Sequence, residues 1–577
     1  MENYKNFQVA IYCPAPFLRG ATFREMEEGL NFFKKHLRIS KVYLETHRGS
    51  VDVEKEKIFK VKEFFEKEGV KTSGGITTTI SLENDEFRDL RIFNTFCYTN
   101  PEHLKKLVEI VEFTASIFDE IILDDFYFTP CRCPSCIEEK GDLSWEEFRL
   151  NLMASVSEEY VVKPAKRVNP EVKMIIKYPN WIESYQETGY NPEAQAEIFD
   201  YVYTGTETRD PLFTHQHLPR YLSYSLMRFF DEVKPGKNLG GWFDSFDCIY
   251  NIGYYLEQAY LTLFSKTKEI TLFDFSSLRN SVFIPPLGHQ LNLLDSILGE
   301  LGNPSGIPVY YPFNSYGEDH LHDYLGMVGI PLYPTPYFPE DSDLIFITAN
   351  SAMDKDILNK LKRYLLAGKN IVMTSGFLKA MQGKGGEEFT SLRVTDKKVI
   401  SNFFGVKIQG LDFSQYVHGP KKVVFPLLDY RNNATWPEIV CIDGENNFPI
   451  LMNDSYGRGK VFTLTVPDNF SDVYHFPREV LTEIRKVFAR GNPFYIECEG
   501  KMGLFTYDND TFIIESFLPY RTPVNIYIKG KDKKLIDMEE GFEYKPTFSS
   551  EKESLYKVSL EPSTFRVFKM VSDDRRA

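Results

Sequence analysis

The chain has few cysteines and no long uninterrupted apolar run, and each scarcity excludes a class of protein. Eight cysteines in 577 residues are too few for a disulfide scaffold and favour a reducing compartment, where clustered cysteines tend to bind metal. No apolar run is long enough to span a bilayer. The first residues, MENYKNFQVAIYCP, lack the basic segment and apolar run of a signal peptide. We therefore expect a cytoplasmic protein without a membrane partner.

Positive charge is also in deficit, since 67 Lys and Arg face 82 Asp and Glu for a net charge of −15. This balance argues against a nucleic-acid partner. Gln is scarce while Lys and Glu are abundant, a composition that hints at a thermophile. The 48 Phe and 34 Tyr indicate large folded cores, and the length predicts two to four domains.

Residues 1–304 alternate strand-like and helix-like runs. The expected strands are 7–13, 41–46, 71–78, 120–125, 173–179, 201–207, 238–244 and 269–275. Stretches between them, such as PEHLKKLVEIVEFTASIF, space their apolar residues as amphipathic helices do. This alternation predicts a parallel sheet, and eight units in about 280 residues predict a TIM (β/α)8 barrel. A doubly wound open sheet is the alternative.

Two smaller domains are expected after the barrel. In 305–492, GIPVYYPF, DLIFITAN and NIVMTSG alternate with helix candidates, which predicts an α/β domain with an open sheet. That region has no GxGxxG motif, no Walker lysine and no cysteine after MTSG, so we expect it to serve structure or assembly. Short alternating segments in 493–577, such as FYIECEG and VNIYIKG, predict a small antiparallel β domain.

Acidic residues gather where the expected barrel strands end, which is where this fold places catalytic groups. In the stretch DEIILDDFYFTPCRCPSC (119–136), Asp124 and Asp125 follow an apolar run. Neighbours on a strand point to opposite faces, so we expect only one of the two to face the substrate. The candidate catalytic carboxyls are Asp124, Asp125, Glu207 and Asp244.

Aromatic and polar side chains at the same strand ends predict a carbohydrate site, because sugar rings stack on aromatic rings and carboxylates accept bonds from hydroxyls. Glycoside hydrolysis needs one carboxyl as general acid and a second as nucleophile or base. Lys177 ends a buried run and should lower the pKa of a neighbouring acid. The candidate substrate-binding residues are Glu45, His47, Lys177, Tyr178, Asn180, Trp181, Arg209, Trp242 and Asp274.

Several of these residues have a structural alternative. Glu207 and Arg209 could form a buried ion pair that only orders a loop. Asp244 and Asp274 could be helix N-caps, a role that Asp often fills. The strand ends carry almost no His, which argues against a metal-dependent barrel hydrolase.

Three cysteines, Cys131, Cys133 and Cys136, form a Cys-x-Cys-x-x-Cys cluster. Zinc prefers four ligands in a tetrahedron, and Cys97, before the same strand, is the best fourth. A site with no open position is structural and would clamp the loop beside the acids. The alternative is free cysteines in a loop. The isolated cysteines, expected as small core residues, are Cys13, Cys248, Cys441 and Cys498.

A strand-4 acid followed by this cluster, with another cysteine upstream, resembles the zinc-bearing glycoside hydrolase family 42 β-galactosidases. That family has a TIM barrel, an α/β trimerisation domain like glutamine amidotransferases and a small β domain, so the resemblance covers essentially the whole chain. It implies a carbohydrate substrate and a homo-oligomer, most simply a trimer. It also implies a structural zinc and no catalytic cofactor, with the zinc held by Cys97, Cys131, Cys133 and Cys136.

The chain departs from this family at its acids. The family has Asn-Glu at the end of strand 4, the Glu being the acid/base, where this chain has Asp124 and Asp125. The family nucleophile is a Glu at strand 7, where this chain has Asp244. Barrels like the α-galactosidases and α-glucosidases use a strand-4 Asp nucleophile and a strand-6 acid, which would select Asp124 or Asp125 with Glu207.

The sequence therefore predicts a glycoside hydrolase, β-galactosidase-like, that cleaves oligosaccharides or small glycosides by a two-carboxylate mechanism. The alternative is a non-catalytic sugar-binding or assembly protein on a glycosidase-like barrel. The sequence leaves open the sugar, the anomer cleaved and the choice between retention and inversion.

Overall fold

The chain forms two compact units, Met1–Gly299 and Glu300–Ala577. The computed structural model describes residues 3–81, 85–406, 415–431, 433–531 and 533–572. Among these residues, no helix is both long and apolar enough to cross a membrane. The domain limits expected at 304 and 492 stay a prediction.

Eight parallel strands close into a barrel in the first unit, which confirms the predicted fold. They are β1 (Gln8–Cys13), β2 (Ile39–Gly49), β3 (Lys71–Ile80), β4 (Glu120–Leu123), β5 (Lys173–Tyr178), β6 (Tyr201–Gly205), β7 (Asn238–Asp244) and β8 (Glu269–Phe273). β1 pairs with both β2 and β8, and this second pairing closes the sheet. A two-residue strand, Val51–Asp52, turns back on β2 as a hairpin.

Helices follow each strand of the barrel and cover it. They are α1 (Ala15–Gly20), α2 (Phe23–His36), α3 (Lys55–Lys67), α4 (Pro101–Ala115), α5 (Pro134–Lys140), α6 (Trp145–Val156), α7 (Lys163–Val168), α8 (Tyr185–Thr188), α9 (Pro192–Ile198), α10 (Leu222–Val233), α11 (Ile252–Phe264), α12 (Phe275–Leu278) and α13 (Ile284–Leu298). A π-helical turn, Ser157–Val162, joins α6 to α7. The start of α2 is fixed by a capping box, in which Thr22 and Glu25 each accept a bond from the other's amide.

Large aromatic side chains fill the barrel, and glycines make room for them. Tyr12, Tyr203 and Trp242 are buried together inside it. A Cβ atom at Gly75 would lie 2.7 Å from the Tyr12 hydroxyl, and one at Gly240 would lie 2.6 Å from the Tyr203 hydroxyl. The glycine pairs in β3 and β7 therefore permit the close packing that holds the strand ends in position.

The second unit begins with a nine-stranded mixed sheet. Its strands are β9 (Ile307–Tyr310), β10 (Leu332–Thr335), β11 (Leu344–Ile347), β12 (Asn370–Thr374), β13 (Arg393–Val406), β14 (Gln415–Asp429), β15 (Trp436–Asp443), β16 (Asn446–Tyr456) and β17 (Gly459–Leu464). β9 to β12 pair in parallel with helices α14 (Leu321–Gly326), α15 (Ile357–Leu366) and α16 (Ser375–Met381) between them, and β17 adds to β12 in parallel. Antiparallel strands β13 to β16 extend this sheet. The predicted open α/β sheet is thus half of a larger mixed one.

Two antiparallel sheets complete the second unit, after helix α17 (Arg478–Phe488). Their strands are β18 (Phe494–Glu497), β19 (Met502–Thr506), β20 (Thr511–Ser516), β21 (Thr522–Lys529), β22 (Lys533–Asp537), β23 (Glu543–Tyr544), β24 (Phe548–Ser549), β25 (Glu553–Leu560) and β26 (Phe565–Ser572). The strand orders are β18-β21-β25-β24 and β19-β20-β26-β22-β23. Both sheets contribute to one core, which confirms the predicted C-terminal β architecture.

Candidate active site

A cavity of about 510 Å³ opens at the carboxyl ends of the barrel strands. Its lining includes acids, three cations, amides and several aromatic rings from the ends of β2 to β8. A cleft of about 620 Å³ lies at the opposite, amino ends, beside Lys41 and Glu120. Barrels of this type place their chemistry at the carboxyl ends, so the first cavity is the candidate site.

Lys177, at the end of β5, holds three acids of the cavity around its ammonium. Its Nζ lies 2.6 Å from Asp125 Oδ2 and 3.0 Å from Glu207 Oε1. Asp124 Oδ1 is 3.5 Å from the same atom. The Lys177 side chain is 2% exposed, and its ammonium lies 4.3 Å from the centre of the Trp242 ring. Acids from two different strand ends, β4 and β6, are therefore joined through one buried cation.

Asp124 and Asp125 face this ammonium together, unlike the expectation that they point apart. β4 ends at Leu123, so both acids lie beyond the strand and its alternation of faces does not apply to them. The side chain of Asp124 is 3% exposed and that of Asp125 is 22% exposed. Asp125 is thus the one more open to the cavity.

Two acids of this group have raised pKa values. Burial raises the pKa of Asp125 to about 7; Lys177 opposes the shift, while the charges of Asp124 and Glu207 add to it. Burial also raises the pKa of Glu207. Lys177 again opposes that shift, and the negative charge of Asp244 reinforces it. Both carboxyls therefore bind a proton more tightly than an exposed acid does.

Asp124 is stabilised as an anion by its contacts. Arg48 Nη2 lies 3.0 Å from its Oδ2, and the Thr77 hydroxyl donates to that oxygen at 3.2 Å. Burial acts to raise the pKa of Asp124, but Lys177 and Arg48 outweigh it and hold that pKa below its ordinary value. Arg48 Nε also lies 3.0 Å from each carboxylate oxygen of Glu45.

Arg209 and Asp244 form a bidentate ion pair at the ends of β6 and β7. Arg209 Nε lies 2.9 Å from Asp244 Oδ1, and its Nη2 lies 2.7 Å from Oδ2. Gln258 of α11 fixes both backbones, because its Oε1 accepts from the Arg209 amide at 3.1 Å and its Nε2 donates to the Asp244 carbonyl at 3.0 Å. Arg209 therefore pairs with Asp244, and the alternative ion pair between Arg209 and Glu207 is not among the contacts of these two described residues.

The cavity also presents a pair of amide side chains. Asn180 and Gln216 exchange two hydrogen bonds, of 3.0 and 2.9 Å. Asn180 Nδ2 donates further to the Glu207 carbonyl at 2.5 Å. These amides offer polar groups to a hydroxylated ligand and hold the loop that carries Glu207.

Four cysteine sulfurs converge beside the loop after β4. The Sγ atoms of Cys97, Cys131, Cys133 and Cys136 are buried and lie within 4.8 Å of one another. Cys97 Sγ is 3.7 Å from that of Cys133 and from that of Cys136. Sulfurs held about 2.3 Å from a tetrahedral zinc lie about 3.8 Å apart, whereas a disulfide is about 2.05 Å long. The cluster therefore fits a tetrahedral metal ion. The other cysteines are buried: Cys13, Cys248, Cys441 and Cys498.

The cysteines anchor two loops that form one side of the cavity. Cys97 closes the segment that carries Phe93, and Cys131 follows the segment that carries Phe126. Both rings line the cavity, and their centroids lie 5.5 Å apart, edge to face. A metal ion held by the cluster would fix the relative position of these two loops.

Family models match the chain in three segments. Residues 1–286 match "Probable glycosyl hydrolase, catalytic domain", 302–469 match "Uncharacterized protein SSO3021, second domain" and 493–570 match "Probable glycosyl hydrolase, C-terminal domain". A curated relative, Uncharacterized protein SSO3021 of Saccharolobus solfataricus, is 28% identical over 502 residues, 80% of this chain and 82% of the relative.

Solved family 42 β-galactosidases share the fold along nearly the full length. A catalytic mutant of Gan42B, a GH42 β-galactosidase from G. stearothermophilus, has a TM-score of 0.66 and 12% identity, with 98% of each chain covered. The β-galactosidase from Bacillus circulans sp. alkalophilus has a TM-score of 0.61 and 10% identity, with 98% of this chain and 100% of that one covered. This chain therefore has the fold of the family 42 β-galactosidase Gan42B along nearly its full length.

Most of the expected site residues line the candidate cavity. Those that line it are Asp124, Asp125, Lys177, Asn180, Trp181, Glu207, Arg209, Trp242 and Asp244. Four expected substrate-binding residues are not part of its lining. They are Glu45, His47, Tyr178 and Asp274.

The side chains of Glu45 and His47 make contacts that stabilise the fold and do not face the cavity. Glu45 is fully buried beneath the cavity, where it accepts from the Tyr12 hydroxyl at 2.8 Å and pairs with Arg48. His47 lies near the end of β2, opposite Asp52 of the hairpin, with its Nδ1 2.6 Å from Asp52 Oδ1. Arg48, the next residue in sequence, reaches the cavity instead.

Local geometry directs the side chains of Tyr178 and Asp274 to contacts outside the cavity. Successive residues of β5 point to opposite faces, so Lys177 faces the cavity while the Tyr178 ring stacks at 4.6 Å on Phe230 of α10. Asp274 caps helix α12, its Oδ1 accepting from the Ser276 amide at 2.7 Å. The N-cap alternative for Asp274 is thus the arrangement observed.

Sequence reasoning predicted Trp242 but missed the phenylalanine rings that form an aromatic wall with it along one side of the cavity. This aromatic wall consists of Phe93, Phe126, Phe246, Phe273 and Trp242. Phe126 directly follows Asp124 and Asp125 in sequence, and this position could have identified it as a cavity residue. Phe93 and Phe246 lie in irregular loops, whose path no periodic pattern predicts.

Proposed function

We propose that this protein is a glycoside hydrolase in which Asp125 and Glu207 are the two working carboxyls. The observation that carries this assignment is their shared contact with the Lys177 ammonium, at 2.6 and 3.0 Å. The glycosyl hydrolase family model over 1–286 and the family 42 architecture support a glycosidase-type function.

The pairing of charges around the cavity distinguishes Asp125 and Glu207 from the other acids. Five carboxyls, those of Glu45, Asp124, Asp125, Glu207 and Asp244, contact three cations, and two of the cations are paired with other acids. Arg48 pairs with Glu45 and Asp124, and Arg209 pairs with Asp244. Lys177 therefore offsets one of the two charges of Asp125 and Glu207, and one proton shared by these two carboxyls neutralises the other near neutral pH.

A shared proton gives the two carboxyls the complementary states that glycoside cleavage requires. Asp125, with its pKa raised to about 7, donates the proton to the glycosidic oxygen as the bond to the leaving group breaks. Glu207, left as a carboxylate, attacks the anomeric carbon or activates water at it. Lys177 balances the negative charge of the pair and keeps the two groups in place.

Asp244 is the second candidate for the nucleophile. It lies at the end of β7, where the family 42 resemblance places the nucleophile, and its bidentate bond to Arg209 stabilises the carboxylate. Asp124, nearly inaccessible and bonded to Arg48, serves in this proposal to hold Asp125 and Lys177 in position.

Substrate recognition falls to the polar and aromatic lining of the cavity. Asn180 and Arg209 can bond sugar hydroxyls, while Trp181 offers a ring face for stacking. Several structures that share this fold are β-galactosidases, so we infer that β-galactosides are the first substrates to test.

The test is a screen of nitrophenyl glycosides followed by kinetics of single variants. Asp125→Asn and Glu207→Ala should each lower kcat by about 10²–10⁴-fold, because each removes a proton-transfer or nucleophilic group. Asp247→Asn is the matched control. Asp247 follows β7 with a φ of 59°, which Asn also adopts, and is not part of the cavity lining.

Glu207 and Asp244 are separated by chemical rescue. Azide should restore turnover to Glu207→Ala if Glu207 is the nucleophile or base, and the stereochemistry of the azide product reports retention or inversion. Rescue of Asp244→Ala alone would assign the role to Asp244. Normal turnover by Glu207→Ala would show that this carboxyl does no chemistry.

A non-catalytic sugar-binding protein is the alternative, favoured by the Asp residues that stand where family 42 has Glu. Calorimetry with galactosides would then show binding without product after long incubation. Turnover that disappears in Asp125→Asn would exclude this alternative.

We further propose that the four-cysteine cluster holds a structural zinc, since four thiolates suit a closed tetrahedral site. When bound, the ion would fix the loops that bear Phe93 and Phe126 and would take no part in the reaction. A homo-oligomer, most simply a trimer, follows from the family 42 analogy, and light scattering of the purified protein would test it.

A further inference from the structure

The outer end of the candidate cavity is apolar and unusually exposed. Ile92, Phe93 and Phe246 line it, and they are 57%, 68% and 50% exposed. Large apolar side chains that stay exposed around a cavity mark a binding surface. This surface is continuous with the acids at the floor of the cavity, so a molecule that reaches those acids must also contact it.

Phe93 has a backbone conformation that is energetically unfavourable for a bulky side chain. Its φ is 56° and its ψ 18°, in the left-handed region that a bulky side chain rarely adopts. Residues kept in such conformations cluster at ligand-binding sites. The Phe93 ring is further placed by edge-to-face contact with Phe126, and both belong to the loops anchored by the cysteines.

The aromatic wall runs inward from Phe93, with one charged group set among its rings. The Arg48 guanidinium lies between the rings of Phe126 and Phe273, 5.6 and 5.8 Å from their centres. The Phe273 ring stacks on Trp242 at 5.7 Å, and Trp242 contacts Lys177. A ligand atom bonded at the acids therefore has this wall beside it up to the cavity mouth.

Most hydroxyl-binding groups lie on the side of the cavity formed by the ends of β5 to β7. The amide pair Asn180 and Gln216 and the Arg209–Asp244 ion pair lie there, and Arg209 is 5.6 Å from the centre of the Phe246 ring. A sugar bound there finds partners for its hydroxyls. A second sugar placed against Phe93 and Phe126 could stack a ring face on them, but its hydroxyls would find few partners, and unmade hydrogen bonds are costly.

We propose that the outer half of the aromatic wall, formed by Phe93, Phe126 and Phe246, is the leaving-group site. Its occupant is the apolar alcohol portion of an aryl or alkyl glycoside. This inference rests on the proposed glycoside hydrolase function. In the reaction the proton of Asp125 passes to the glycosidic oxygen, and the bond from that oxygen to the anomeric carbon breaks. Glu207, or a water molecule that it activates, forms the new bond to that carbon, and the alcohol departs along the wall.

The test compares two non-hydrolysable ligands with one sugar, phenyl and methyl thio-β-galactoside, by calorimetry on the full chain. If the nitrophenyl screen identifies another sugar, the same pair is made with that sugar. The phenyl ligand should bind about tenfold more tightly, as burial of a phenyl ring against apolar faces predicts. Phe93→Ala should reduce this ratio towards unity and leave the methyl ligand unchanged.

Phe59→Ala is the matched control, because Phe59 of α3 is 44% exposed and is not part of the cavity lining. It should keep the full ratio. Equal affinity for the two ligands, or tighter binding of a thio-linked disaccharide than of the phenyl ligand, would overturn this inference and leave hydrolysis intact. If no sugar derivative is bound or cleaved, the proposed function fails and this inference fails with it.

Discussion

The ammonium of Lys177, whose side chain is 2% exposed, lies 2.6 Å from Asp125 Oδ2 at the mouth of the barrel. This contact lowers the cost of a buried carboxylate without removing it, since burial still raises the pKa of Asp125 to about 7. The same ammonium lies 3.0 Å from Glu207. A two-carboxyl, one-lysine group of this kind can store one proton and release it near neutral pH.

Activity should decline as pH rises through about 7, because the proposed general acid Asp125 then loses its proton. Lys177 lowers the pKa of Asp125, so Lys177→Met should move this basic limb to higher pH while kcat falls. The measurement is kcat against pH for both proteins. An unchanged basic limb in the variant would show that Lys177 does not control the titrating group.

Loss of metal should loosen the cavity before it unfolds the barrel. Cys97→Ser should lower bound zinc from about one per chain towards zero and reduce the melting temperature, because the loops carrying Phe93 and Phe126 lose their anchor. Elemental analysis and thermal unfolding measure both effects. Cys441→Ser, which changes a buried cysteine outside the cluster, should retain the metal. A wild-type protein without metal would refute the zinc assignment.

Gln258 should position the Arg209–Asp244 ion pair. Gln258→Glu keeps an acceptor for the Arg209 amide and loses the donor to the Asp244 carbonyl, which costs about 1–3 kcal/mol for an unsatisfied buried group. We expect a lower melting temperature together with a fall in kcat on the best nitrophenyl glycoside. A kcat that stays unchanged while stability drops would limit Gln258 to a structural role.

Asp274 should contribute to stability and not to turnover. Asp274→Ala removes the N-cap of α12 and should cost about 1 kcal/mol, whereas Asp274→Asn should be nearly neutral because Asn also caps. Chemical denaturation gives the free energies of unfolding, and kinetics should show an unchanged KM for both variants. A raised KM in Asp274→Asn would return this residue to the substrate site.

The barrel could be predicted from the sequence because its pattern of strands and helices is repeated. Eight buried runs separated by amphipathic segments leave few alternatives, and the strands lie where that pattern places them. The antiparallel half of the middle sheet escaped prediction, since β13 and β14 are long, partly polar strands whose pairing depends on distant partners.

Within the site, proximity was predictable and direction was not. Strand ends of a barrel meet at one mouth, so Asp125, Lys177 and Glu207 could be expected to be neighbours. Two details of the site depend on loop backbone angles, which no periodic sequence pattern predicts. They are the direction of the Asp124 side chain after the end of β4 and the pairing of Arg209 with Asp244 and not with Glu207.

The sequence by itself determined the barrel, the cysteine cluster and the set of acids at the mouth, because each follows from residue types at fixed local spacing. Only the tertiary structure decided how three cations are divided among those acids, and so which carboxyls are left with raised pKa values. It also assembled the aromatic wall from loops remote in sequence. Charge pairing and ring packing act through space, and a few ångströms separate a structural ion pair from a pair that can share a proton.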